Sequence, residues 1–437
     1  MRILLALLAL LNLGAAAAVL LRRFFKHWYL LAQDEQRLEA AAYVERALEQ
    51  LRQGRVLPAP PSRRLAENEL LRRLPQAAPE EQDGLQQLFR QWRLRDDRIR
   101  RLRRGPPWQR AQSAMVLGRM QTREALPEIL KLLAQDNTEM RLAALRALEL
   151  LGDPKAIDAL VNVLPAVKDT AWRMVWAALI ACARAQPERL RAHLAHPEPR
   201  VREVVAAVLG ELNSPALLDA LLAHANDPHP GVRARLACAL GRSGSTRALP
   251  LLSERAWDPV WYVRLHAVGA LGALGDREAH ELLALAVRDP NLQVRQKAAA
   301  ALCLLWRDPI YLINLLCQGA PDRYALGAVV SELDWSGVTW EAINRVNAPL
   351  PGLRQQSREL VERLISVGAY APVLYAIETH PDTQVRRVLL ELVARALPQE
   401  DYPALVEVLG SPYLDAGTRR AIKKLVGAAV EAGDDLG

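Results

Sequence analysis

Asp227-Pro228-His229-Pro230-Gly231-Val232-Arg233 opens a segment that returns twice with few changes. It comes back as Asp258-Pro259-Val260-Trp261-Tyr262-Val263-Arg264 and as Asp289-Pro290-Asn291-Leu292-Gln293-Val294-Arg295. Together with Arg202, the arginines Arg233, Arg264 and Arg295 form a comb whose teeth are equally spaced along the chain. Self-similarity at one fixed period marks a stacked repeat architecture. The comb extends both ways, to Arg110, Arg141 and Arg173 before it and to Arg323, Arg354, Arg386 and Arg419 after it. The intervals stay close to that period throughout, which makes eleven candidate repeats, the last four degenerate.

The interior of each tooth is also shared. Seven positions after the arginine stand Leu117, Leu148, Leu209, Leu240, Leu271 and Leu302, and eight after it stand Gly118, Gly210, Gly241 and Gly272. Positions +3, +4 and +6 are mostly Ala or Val, as in Ala267, Val268 and Ala270. Apolar residues at +3, +4 and +7 share one helical face. Small residues there let a neighbouring helix come close, and glycine inside a helix is tolerated where close packing requires it. A second helix fills each period, as at Ala216–Ala225, Ala248–Ala256 and Glu278–Arg288. The Asp-Pro pair between helices suits a helix start, because Asp accepts from free backbone amides and Pro fits the first turn. One such hairpin cannot bury its apolar face alone and gains stability by stacking on the next.

The D-P-x-x-x-V-R pattern followed by a small-residue helix ending in Ala-Leu resembles the HEAT repeat family, in particular the short variety also found in phycobilisome-lyase proteins. The resemblance covers Pro107–Arg307 clearly and the rest of the chain to its C-terminus weakly. It implies an all-α fold, a right-handed α-solenoid of ten to eleven HEAT-like hairpins. It also implies a buried structural ladder between successive repeats, here Asp227, Asp258 and Asp289 with Arg202, Arg233, Arg264 and Arg295. It says little about function.

Length and composition fit that reading. A chain of 437 residues with 51% hydrophobic content can bury a large core, and it lacks the low hydrophobicity of disordered chains. The stretch Ile3–Leu21 carries no charged side chain, and Arg22, Arg23 and Lys26 follow it among Phe24, Phe25, Trp28 and Tyr29. That length suffices for a transmembrane helix, and basic residues with aromatics suit its interface with anionic lipid. The competing reading is a cleaved signal peptide, but the apolar run continues past the Ala15-x-Ala17 site. The excess of basic residues after the span favours a cytoplasmic body in a cell inner membrane, with a periplasmic or secreted body as the alternative.

The expected organisation is an anchor over 1–29, a charged helical stalk or cap over 30–106, a clear repeat stack over 107–307 and degenerate repeats over 308–437. In the second region Leu31, Leu38, Ala41, Val44 and Leu48 form a stripe, Val56–Pro61 breaks the helix, and Leu65–Leu74 and Glu81–Leu102 read as further helices. The stretch 1–105 holds 20 basic against 12 acidic side chains, so the whole net charge of +8 belongs to that part. Attraction to anionic lipid accounts for it, and nucleic acid is not required. The arginine run from Arg93 to Arg104 reads as a solvated or lipid-facing helix, with a phosphate-binding face as the alternative. Ser331–Leu353 is the least helical stretch, either an edge insertion or a drifted repeat.

No chemistry has a recognisable spacing. Cys182, Cys238, Cys303 and Cys317 sit in apolar helical contexts without CxxC pairs and read as buried small hydrophobes. His193 with His196, and His224 with His229, lack a carboxylate or thiolate to complete a metal set. No catalytic residue, cofactor or metal is expected. What remains is surface. Positions +2, +5 and +9 from the comb should form an exposed, mildly basic ridge of Gln112, Met115, Arg119, Arg146, Arg235, Arg242, His266 and Lys297, suited to an acidic or extended partner segment. The expected function is a membrane-anchored scaffold binding a protein partner. The alternatives are a phycobilin-lyase-like or chaperone enzyme acting on another protein, and a nucleic-acid binder.

Overall fold

Every regular element of the described residues is a helix. The computed structural model describes residues 34–434, except 56, 168, 307 and 319–321. The expected span Ile3–Leu21 and its basic flank Arg22, Arg23 and Lys26 therefore lie outside the described residues. Among the described residues no single helix is long and apolar enough to cross a membrane.

The chain divides into two compact units, one ending at Leu190 and one beginning at Arg191. The first starts with α1 (residues 34–52), α2 (Arg63–Arg73), α3 (Pro79–Gln91) and α4 (Leu94–Arg104). These pack as a cap. Val44, Ala47 and Leu48 of α1 are buried with Leu70, Leu85, Phe89 and Trp92. The stripe expected for a stalk is thus a packing face turned onto the cap, and only Leu38 of its described members is strongly exposed. The helix expected over Glu81–Leu102 is two helices. Trp92 is buried and donates from Nε1 to the Leu57 carbonyl at 3.2 Å, and Arg93 turns the chain through a left-handed conformation with φ 53°.

Hairpins follow. In the first unit α5 (Pro107–Arg119), α7 (Thr138–Leu151) and α9 (Asp169–Ala183) form one row, each packed directly on the next. The shorter α6 (Leu126–Leu133) and α8 (Ile157–Val163) form the other row. In the second unit the row runs through α10 (Pro199–Leu212), α12 (Pro230–Arg242), α14 (Trp261–Leu274), α16 (Leu292–Leu305) and α18 (Arg323–Trp335). Opposite it lie α11 (Leu218–His224), α13 (Leu249–Arg255), α15 (Arg277–Ala286) and α17 (Pro309–Leu316). The chain then adds α19 (Val338–Arg345), α20 (Pro351–Ser366), α21 (Ala371–Thr379), α22 (Thr383–Ala396), α23 (Tyr402–Val408) and α24 (Ala416–Asp434).

Arg110, Arg141, Arg202, Arg233, Arg264, Arg295, Arg354, Arg386 and Arg419 are each the fourth residue of their helix. The +3, +4 and +7 positions face the core: Leu236, Ala237 and Leu240, then Ala267, Val268 and Leu271, are at most 1% exposed. Arg323 departs from this. It is the first residue of α18, and the position equivalent to Arg295 is Leu326. The stretch expected to be least helical is covered largely by α18 and α19, which are joined through Ser336 and Gly337, the latter at φ 82°. Close row packing lapses between α18 and α20, where α17 packs on α20 instead. The bent pair α20 and α21 is apolar for the same reason as the other hairpins. Leu360, Val361, Leu364, Val373, Ala376 and Ile377 are buried in the protein's own core.

Candidate functional site

The repeat-locked charges of the second unit are joined in a ladder. Arg202 sets a two-pronged fork on Asp227, with Nε to Oδ2 at 2.7 Å and Nη2 to Oδ1 at 2.9 Å. Arg233 repeats it on Asp258 at 2.7 and 2.9 Å, and Arg264 on Asp289 at 2.6 and 2.9 Å. Each aspartate also accepts from the amide two residues on, at His229, Val260 and Asn291. The free prong of each arginine binds the turn of its own hairpin. Arg233 Nη1 donates to the Asp227 and Pro228 carbonyls, and Arg264 Nη1 to those of Asp258 and Pro259. Burial pushes the Asp227 and Asp258 carboxyls up, but the guanidinium forks and amides outweigh it and hold both below the usual aspartate range. All of this chemistry is used within the stack, so Arg202, Arg233 and Arg264 and their aspartates hold the hairpins together.

The ladder stops at Arg295. Its Nη1 still donates to the Asp289 and Pro290 carbonyls, but Nε is buried without a partner and the guanidinium lies 5.3 Å from the centroid of the Tyr324 ring. The contact is a cation on an aromatic face in place of an ion pair.

The ridge residues are divided between the units. In the first, Gln112, Met115, Arg119 and Arg146 are exposed, with Arg119 donating to the Leu71 carbonyl at 3.3 Å and Arg146 paired with Glu149 at 2.7 Å. In the second, Arg235 pairs with Glu203 at 3.3 Å and Arg242 with Glu211 at 2.7 Å. His266 is half-buried and Lys297 exposed. Burial, and then the charges of Arg235 and Lys297, push His266 below its ordinary value, so its neutral form faces Cys238 Sγ at 3.1 Å. Acids on the same or the adjacent row helix thus take up much of the basic character that counting arginines suggests.

The thiols carry no nucleophilic arrangement. Burial pushes Cys182 and Cys303 up to about 12, and Cys238 upward as well. Among the described residues no group of three or more His, Cys, Asp and Glu is placed to hold a metal ion. His196 accepts from the Glu198 amide, and His224 Nδ1 meets the Ala220 carbonyl, so both serve local structure.

The arginine run on α4 is not a uniform solvated face. Arg95 and Arg98 are buried, and Arg98 forks onto Glu67 at 2.8 and 2.6 Å. Arg100 and Arg103 pair with Asp97 and Glu128.

Sequence reading misses a cleft of about 620 Å³ between α15 and α17. α16 ends without a glycine cap. Its C-cap is Trp306 in extended conformation, and Asp308 starts α17 two residues later by accepting from the Ile310 and Tyr311 amides. That shortened turn sets His280, Trp306 and Tyr311 edge to face, with centroids 5.2 and 5.4 Å apart. Leu285 and Tyr311 remain 48% and 52% exposed at its rim. Arg277 and Arg288 line it and enter no ion pair among the described residues. The cleft joins apolar ring faces to two cations and one carboxylate, that of Glu281, a combination suited to an amphipathic segment.

Comparisons with known proteins agree with the repeat reading. The family model for HEAT repeats matches residues 96–183 and 187–271, and that for the PBS lyase HEAT-like repeat matches 263–289. No curated protein matches the chain. Among solved structures, Kap121p bound to Nup53p is similar at 14% identity and TM-score 0.46, over 84% of this chain and 52% of that one. Importin beta is similar at 14% identity and TM-score 0.38, over 84% and 63%. The complex of CpcE and CpcF of phycocyanin lyase from Nostoc sp. PCC7120 is similar at 18% identity and TM-score 0.26, over 61% and 93%. This chain spans about half the length of the Kap121p structure it resembles. HEAT repeats are therefore present in both compact units, and the all-helical stack is of the HEAT-repeat kind.

Proposed function

We propose that this chain is a HEAT-repeat scaffold that holds a protein partner through the cleft between α15 and α17. The observation that carries the reading is the aromatic trio His280, Trp306 and Tyr311 beside the unpaired Arg277 and Arg288. A partner segment in extended form would seat an aliphatic or aromatic side chain against Trp306 and set carboxylates on the arginines. Buried aromatic anchors with charged neighbours dominate the energetics of such contacts. On the row helices, Lys297 is the ridge cation of the second unit without an acid partner among the described residues, and it offers an accessory contact.

The same reading keeps Ile3–Leu21 as a membrane anchor, with the repeat body on the cytoplasmic side. Its support is the length of the apolar run and the basic flank that follows it. Extraction of membranes at alkaline pH should leave the full chain in the pellet, and deleting residues 1–29 should release it.

The partner reading is tested with a photo-crosslinking amino acid at Tyr311 in living cells. A discrete adduct is expected, and it should vanish in the Trp306→Ala background and weaken with Arg288→Glu. An adduct indifferent to both changes would sink the cleft as the site.

A further inference from the structure

The first unit holds a second cavity, about 320 Å³, between α2, α4 and the first turns of α5. Four guanidinium groups line it, from Arg63, Arg64, Arg98 and Arg101, against two carboxylates, from Glu67 and Asp97. Those carboxylates are already committed. Glu67 takes the Arg98 fork, and Asp97 is shared by Arg63 at 3.5 Å and Arg100 at 3.6 Å. Arg64 and Arg101 enter no ion pair among the described residues, so the cavity keeps two uncompensated cations on its wall. The buried Arg98–Glu67 pair fixes α4 against α2 and so holds Arg64 and Arg101 on opposite walls of one concavity. α5 begins at the rim with Pro106 as its N-cap, which supplies no side-chain acceptor, so its first turn adds a dipole of the same sign. Trp108 lines the cavity from that turn and is 59% exposed, a large ring held in the open beside the charges.

From this arrangement we infer that the cavity is a binding site for a phosphate monoester carrying a flat body. The phosphoryl group takes bidentate contacts from Arg64 and Arg101, and the flat body stacks on Trp108. Arginine forks match phosphate oxygens in geometry as well as charge, which favours phosphate over a single carboxylate. The volume admits more than a bare ion, and the exposed indole gives the remainder a surface. The monoester is a soluble phosphorylated metabolite with a planar ring; phosphatidic acid, which carries the phosphoryl group without a flat body, is the control.

The test is titration calorimetry of the full chain in a mild detergent with inorganic phosphate, AMP, adenosine and short-chain dihexanoyl phosphatidic acid. Binding of phosphate and AMP, with adenosine silent, is expected. Arg64→Ala and Arg101→Ala should each weaken AMP by about tenfold or more. Trp108→Leu should weaken AMP by about tenfold while leaving inorganic phosphate unchanged. Arg101→Lys should retain part of the binding, which separates loss of charge from loss of fold, and the thermal melt of every variant should match the parent. Tighter binding of AMP than of the short-chain lipid supports the site, and tighter binding of the lipid, which has no ring to stack on Trp108, overturns it. Absence of heat with phosphate, AMP and the lipid at millimolar concentration overturns it. So does phosphate or AMP binding that the two arginine variants leave unchanged.

Discussion

Asp258 gathers more of the ladder than any other residue. Its carboxylate takes two bonds from Arg233, one from Arg255 at 3.2 Å and one from the Val260 amide at 3.0 Å, and its side chain has no exposed surface. Removing it leaves a buried guanidinium without its partner, and breaking a buried pair from one side costs about 3–5 kcal/mol. Asp258→Ala should therefore lower the denaturant midpoint strongly, whereas Lys297→Ala, on the exposed face, should stay within about 0.5 kcal/mol of the parent. Acid sensitivity follows from the same group. Asp227 and Asp258 sit below the usual aspartate range in the folded chain, and the Thr418 hydroxyl and amide hold Asp415 down to about 2. The unfolded chain binds more protons than the folded one in that range, so this stability is fully present above the ordinary aspartate value and is lost as pH falls through the lower native values. Denaturation midpoints measured on an acid series should fall only below about pH 4, and Asp258→Asn should flatten part of that fall. The thiols give a third check at this scale. With Cys182 and Cys303 pushed up to about 12 by burial, both should resist a thiol reagent in mildly alkaline buffer until denaturant is added.

Between elements, the close contacts of the row helices rest on glycine. A Cβ added at Gly241 would lie 2.5 Å from Ala270 Cβ and 2.7 Å from its Cα, and one at Gly272 would lie 2.6 Å from Ala301 Cβ. No flexible side chain can yield there, so α12 and α14 would have to separate. Gly241→Ala should cost about 1–3 kcal/mol by overpacking, although alanine is the better helix former, and a gain in melting temperature would refute this account of the row. This part of the fold is legible in the sequence because one constraint recurs. A helix that must approach its neighbour once in every period writes the same small residues and the same arginine each time. Legibility fails where that repetition fails. Arg323 resembles a tooth of the comb because it is an arginine near the right place, but a full period from Arg295 lands on Leu326, and the structure gives Leu326 the equivalent position. The break of the long basic helix at Trp92 is hidden because the chain turns through a left-handed Arg93, a conformation the residue type does not announce. The cleft is hidden for a similar reason. His280 and Tyr311 belong to different helices and Trp306 to the turn between α16 and α17, and nothing in their spacing announces that this turn brings their rings together. The one available signal is Trp306 itself, a large ring where the preceding repeats have their helix-ending turn.

At the scale of the whole chain, 437 residues exceed what a single core organises, and stacked hairpins do not need one. The first unit has its own apolar centre, in which Leu70, Leu85, Phe89 and Trp92 are buried with Met120 at the end of α5. The second has the ladder and the row from α10 to α16. A stack whose stability is a sum of local terms loses cooperativity over distance, so a perturbation should spread through its own unit before it reaches the other. Asp258→Ala provides a measurement. Hydrogen exchange followed by mass spectrometry, in denaturant just below the midpoint, should show protection lost through α12, α14 and their neighbours. Peptides from α2, α3 and α5 should keep the exchange rates of the parent chain. A mirror experiment with Glu67→Ala, which strips Arg98 of its fork in the cap, should reverse the pattern. If either substitution instead accelerates exchange uniformly from α2 to α22, the chain unfolds as one cooperative body, and the division at Leu190 has no energetic meaning.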